Sequence, residues 1–145
     1  MQTENNNKAT SLPEQHRQGD VLIEEVNQLP SDVVLVGDPS NDRNNRIIAR
    51  GEQSNHAHIV TGNARVYRKG EGASAELYVE VLEKPEDLTP EQEKGMTAKL
   101  EHLLESTGVW TKEHMPIELT PGKTYRVVQQ QEFDPFEKAR RAVMD

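Results

Sequence analysis

At 145 residues the chain has the length of one domain, but only 33% of its residues are hydrophobic and 4% aromatic, which leaves a lean core. A net charge of -8 argues against wrapping nucleic acid or coating an anionic membrane, because both need surplus Lys and Arg on one face. The absence of cysteine excludes disulfides, thiol catalysis and Cys-ligated zinc.

Residues 1–17 are rich in Asn, Gln and Thr and read as a polar N-terminal arm. The stretch Met1 to Asn7 lacks the charged-then-apolar build of a secretory signal, and no apolar run approaches the ~18 residues of a membrane span. A soluble protein made in the cytoplasm is expected, without membrane or nucleic-acid partners.

A single β domain is expected over 18–134. Val21 to Val26 forms the first core strand, Leu29 to Asp32 a turn, and Val33 to Val36 a short apolar strand. Gly37 to Asn45 holds almost every strong breaker and reads as an exposed loop. Arg46 to Arg50 restarts the sheet. His56 to Val60 and Ala64 to Lys69 flank the turn Thr61-Gly62-Asn63, a hairpin signal. Leu77, Val79 and Val81 alternate with Tyr78 and Glu80 in the clearest strand of all.

At Glu83 the pattern changes. Thr89, Pro90 and Gln92 spell a helix start: a capping residue, a proline at the first helical position and the return half of a capping box. Met96, Leu100, Leu103 and Leu104 then fall at helical spacing, so the spacing predicts an inserted helix over 89–106, weakened by Gly95. From Glu83 to Ser106 seven acidic residues stand against three basic ones, which makes this helix the acidic part of the chain. Val109 to Lys112, Met115 to Leu119 and Tyr125 to Gln129 return to strand. Asp134 and Pro135 open a short basic C-terminal helix over 135–145, with Phe136 and Arg140 on one face. Many short strands with one inserted helix argue an antiparallel β-sandwich, jelly roll or cupin-like barrel.

The candidate chemistry lies in His56 and His58. On a strand, residues two apart share a face, and neutral imidazoles suit Zn, Ni, Cu or Fe. His114 is the third candidate ligand, with Glu113 or Glu52 as an oxygen donor. The competing reading makes the pair polar residues on the wet face of a hairpin.

Gly51, His56-Ala57-His58 and the turn Pro121-Gly122 resemble the two motifs of cupins, which implies a divalent metal held by histidines. Four residues separate Gly51 from His56 where cupins usually have five. No carboxylate follows within Ile59 to Asn63, and Tyr125 stands where the last cupin histidine falls. The chain also resembles a set of uncharacterised small proteins of bacteria and tailed phages. That likeness rests on Arg17-Gln18-Gly19-Asp20-Val21, His56-Ala57-His58, Glu113 to Ile117 with Pro121-Gly122, and Tyr125-Arg126-Val127 through Phe133-Asp134-Pro135. It implies a compact β domain and no established activity.

Two functional expectations follow. The leading one is a non-enzymatic phage capsid decoration (cement) protein on the virion surface, bridging subunits of the major capsid protein or copies of itself as a homo-oligomer. It needs no cofactor. Its contact residues would be Met96, Leu100 and Leu103 on the inserted helix and Phe136, Arg140 and Arg141 at the C-terminus. The alternative is a cupin-like metal-binding module or small metalloenzyme using His56, His58 and His114.

Overall fold

The computed structural model describes residues 12–51 and 53–129. The C-terminal helix expected over 135–145, with Phe136, Arg140 and Arg141, lies outside the described residues, as do Glu52 and residues 1–11 of the arm. Two antiparallel sheets pack as a β-sandwich. The larger has six strands and the smaller has four.

Strands β1 (Gln15–Gln18) and β2 (Val21–Val26) form a tight hairpin through Gly19 and Asp20. Part of the segment expected as an arm is therefore an edge strand. The strand β3 (Val34–Gly37) closes the opposite edge against β6 (Ala64–Lys69), which in turn pairs with β7 (Glu76–Val81). In the smaller sheet, β4 (Ile47–Arg50) pairs with β5 (His56–Thr61), and β5 with β8 (Lys99–Leu104). The two-residue strand β9 (Ile117–Glu118) flanks β8, and β10 (Thr124–Gln129) sits between β2 and β7.

The core fills the space between the sheets. Val21, Ile23, Val66, Val79, Val81 and Tyr125 of the larger sheet meet Ile48, Val60, Leu100 and Leu119 around the smaller one. Each such aliphatic side chain contributes roughly 1.5–3 kcal/mol by leaving water. A second, smaller cluster of Ala57, Ile59 and Leu103 lies on the opposite face of β5 and β8, packed with Ile47. Strand β5 is thus buried on both faces, so its sequence does not alternate. Arg46 is buried too, and its Nη1 donates to the carbonyls of Gly62 and Ala64, tying the preceding loop to the β5–β6 hairpin.

The expected helix over 89–106 is corrected. Only α1 (Pro90–Met96) is helical, and the capping box between Thr89 and Gln92 is present. Thr97 closes it, with both its N–H and its hydroxyl donating to the Glu93 carbonyl. The chain then turns extended and enters the sheet as β8, so Leu100 and Leu103 are core residues and not an exposed contact stripe. The physical cause is double-sided burial. Leu100 and Leu104 point to one face and Leu103 to the other, and because both faces are covered the apolar spacing mimics a helix. Of the helix-stripe residues, only Met96 lies in α1, where it is partly buried. Among the described residues no helix is long and apolar enough to cross a membrane.

Candidate metal centre

Alternation along β5 and β8 determines where the histidines fall. Val60 and Leu100 are directly opposed and point into the core, so His56, His58, His102 and Leu104 share that inward face toward the other end of the strands. His58 and His102 are themselves register partners. The loop after β8 folds back through a bridge between Trp110 and Leu103 and delivers Glu113 and His114 to the same end. The β1–β2 turn of the other sheet adds Gln18, Gly19 and Asp20.

Four of the five histidines therefore form one cluster. Ring centroids lie 4.7 Å apart for His58 and His102, 4.9 Å for His102 and His114, 5.5 Å for His56 and His102, and 6.1 Å for His58 and His114. The structure brings His56, His58 and His114 together, as the motif invited one to ask, but through a fourth ring. His102, at the centre, falls within the segment 89–106 whose spacing predicts a helix.

Two carboxylates border the rings. Glu113 Oε1 is 3.3 Å from His56 Nδ1 and 3.7 Å from His102 Nδ1. Asp20 Oδ1 is 3.7 Å from His58 Nε2. His56, His102 and Glu113 each offer a ligand atom, and these atoms lie within 4.8 Å of one another. Two imidazoles and a carboxylate are a donor set that suits Zn, Ni, Cu or Fe.

Outer partners fix the rings. The Gln18 side chain is buried, and its Nε2 donates to the carbonyls of Leu100 and Met115 at 3.0 and 2.9 Å. Its Oε1 is left to face His58 Nδ1 at 2.8 Å, so that nitrogen carries the proton and Nε2 keeps the lone pair. His102 is held the same way. The Thr111 hydroxyl lies 2.5 Å from His102 Nδ1 and 3.2 Å from the His102 carbonyl, which fixes the ring. Such anchoring of the second ring nitrogen is how metal-ligating histidines are oriented.

The charge states agree. Burial pushes the His58 ring down, the neighbouring His102 adds to this, and Asp20 only partly opposes it, which leaves a value of about 4. His102 is lowered by burial first and by His114 next. Both rings are neutral at pH 7, ready to bind a cation without losing a proton.

Gly19 and Gly51 make the close approach feasible. Gly19 has φ +60, and a Cβ there would stand 3.0 Å from His114 Nε2 and 3.5 Å from His58 Cε1. A Cβ on Gly51 would stand 3.3 Å from His102 Nε2. Gly19→Ala should therefore destabilise the fold by roughly 1–2 kcal/mol from the left-handed backbone alone, measured by urea unfolding. A change below a few tenths of a kcal/mol would contradict the turn geometry.

The family described as a domain of unknown function (DUF8820) matches over residues 17–130, which takes in every residue of this cluster. The chain belongs to this family. No curated protein matches it, and no solved structure does.

Proposed function

We propose that this chain is a metal-binding β-sandwich protein whose centre takes one divalent transition-metal ion through His56, His102 and Glu113. The observation that carries the reading is the convergence of those three ligand atoms within 4.8 Å of one another at the histidine-lined end of the sandwich. Support comes from the anchored ring of His102 and from the lowering of its basicity. An ion held there would polarise an oxygen of a bound molecule. His56 and Glu113 are the more exposed of the three.

Purified protein stripped by chelator and dialysed against Zn2+ should retain stoichiometric metal by mass spectrometry. His102→Ala should weaken binding by more than about 100-fold, since even outer-shell partners cost some 10–100-fold. Wild-type protein that retains no Zn2+, Ni2+, Cu2+ or Fe2+ sinks the proposal.

A second reading is favoured by the edge strand β3. Val34, Leu35 and Val36 are all exposed there, an apolar edge of the kind that pairs with another chain. It supports an assembling structural protein, such as the capsid decoration role. Sedimentation of wild type against Leu35→Lys tests it, with loss of an oligomer as the supporting outcome.

A further inference from the structure

His102 lies on β8 and Glu113 on the loop that follows it, yet one side chain touches both. Thr111 Oγ1 lies 2.5 Å from His102 Nδ1 and 3.2 Å from the His102 carbonyl, and it accepts from the Glu113 N–H at 3.3 Å. A hydroxyl has one proton to give and two lone pairs. Glu113 takes one lone pair, and the ring and carbonyl of His102 share what is left. The Thr111 N–H also donates to the His102 carbonyl, at 3.1 Å, so the backbone of Thr111 is itself tied to β8.

The turn that presents Glu113 is strained. Lys112 has φ +66, in the left-handed region. Among the described residues the other non-glycine positions with positive φ are Asn55 and Asp87, whose short polar side chains tolerate it better than a lysine does. Such a conformation persists where its surroundings over-determine it. Here the Thr111 hydroxyl holds the Glu113 N–H, and across the turn Trp110 Nε1 donates to the His114 carbonyl at 2.9 Å. The Glu113 side chain is 41% exposed, so burial does not hold it, and its place beside His56 and His102 depends on the backbone that carries it.

We propose that Thr111 is the positioning residue of the metal centre. Its hydroxyl sets the orientation of the His102 ring and the place of the Glu113 backbone together, and the same bond helps to keep Lys112 left-handed. The inference rests on the reading that His56, His102 and Glu113 bind a divalent ion. Thr111 binds no ion itself and acts through two of the three ligands, so loss of one hydroxyl disturbs both.

The test titrates Zn2+ by calorimetry into metal-free, full-length wild type, Thr111→Val and Thr111→Ser. Valine keeps the shape and removes the hydroxyl, whereas serine keeps the hydroxyl. Thr111→Val should bind roughly 10–100-fold more weakly than wild type, and Thr111→Ser within about threefold of it. The metal-free proteins supply a readout that needs no ion. The His102 ring resonances in 15N spectra should move in Thr111→Val and keep their wild-type positions in Thr111→Ser. Lys112→Val, a change on an exposed turn, guards against a Thr111→Val that fails to fold. A β-branched residue resists φ +66, so this variant should also bind Zn2+ more weakly while leaving the metal-free His102 resonances in place. Wild type that binds no Zn2+ overturns both the centre and the place of Thr111 in it. Equal affinity in wild type and Thr111→Val overturns the positioning role and leaves the centre intact. Equal losses in Thr111→Val and Thr111→Ser overturn it too, by making Thr111 a packing residue of the turn.

Discussion

Gln18→Leu should lower stability by roughly 1–3 kcal/mol and move the proton on the His58 ring at the same time. Leucine nearly preserves the volume but removes three hydrogen bonds from a side chain that is 2% exposed. The His58 N–H loses its partner in a buried place, at a cost of about 1–3 kcal/mol, whereas the part-buried Met115 carbonyl can turn to water. The consequence for the site is separate from the consequence for the fold. Without an acceptor at Nδ1, His58 can shift its proton to Nε2. Urea unfolding reads the first effect, and 15N shifts of the imidazole read the second. A variant that is less stable but keeps the Nδ1–H form would leave Gln18 as a packing residue only. A stability loss below about 1 kcal/mol would remove the amide bridge from the account altogether.

The same residue illustrates what sequence could and could not disclose. The motif His56-Ala57-His58 is legible because its spacing alone puts two rings on one face, and Glu113-His114 is legible as a second cluster of ligand types. The hairpin around Gly62 is likewise written in local turn chemistry, whereas the one through Gly19 joins β2 to a segment whose composition reads as a polar arm. His102 was hidden because β8 is covered on both faces, so Leu100, Leu103 and Leu104 supply a helical spacing by coincidence. Thr89 and Gln92 form a true capping box, which made a long helix the natural continuation. A usable signal existed in Gly95 and Thr97, which stop the helix after seven residues and leave a six-residue run of strand length. Gln18 and Asp20 lie in the stretch Arg17 to Val21, where no spacing marks either as a site residue. Their partners are 38 or more residues away (58 − 20 for Asp20 and His58), and only the assembly of the sheets brings them together.

Glu14→Gln should cost about 3 kcal/mol at neutral pH, and that cost should vanish in acid. Burial alone would raise the Glu14 carboxyl, but hydrogen bonds from Tyr125, His16, Thr120 and Lys123 outweigh it and lower the group from 4.5 to about 2. The carboxylate accepts from Tyr125 Oη at 2.5 Å, from Thr120 Oγ1 at 2.8 Å and from Lys123 Nζ at 3.2 Å, and it lies 2.6 Å from His16 Nε2. It is 21% exposed, so solvent screens these contacts only in part. A carboxyl whose folded value is depressed stabilises the protein fully above its unfolded value, near 4.5, and less and less as pH falls toward 2. Urea unfolding at pH 7 should therefore separate wild type from Glu14→Gln, and at pH 2 the two curves should nearly coincide. What this carboxylate pins is the start of β1, the strand that ends in Gln18 and turns through Gly19 into Asp20. If so, acid should weaken metal binding in wild type more steeply than in Glu14→Gln, because only wild type loses the anchor of that strand as pH falls. Parallel pH profiles of metal affinity in the two proteins would mean that β1 stays in place without it.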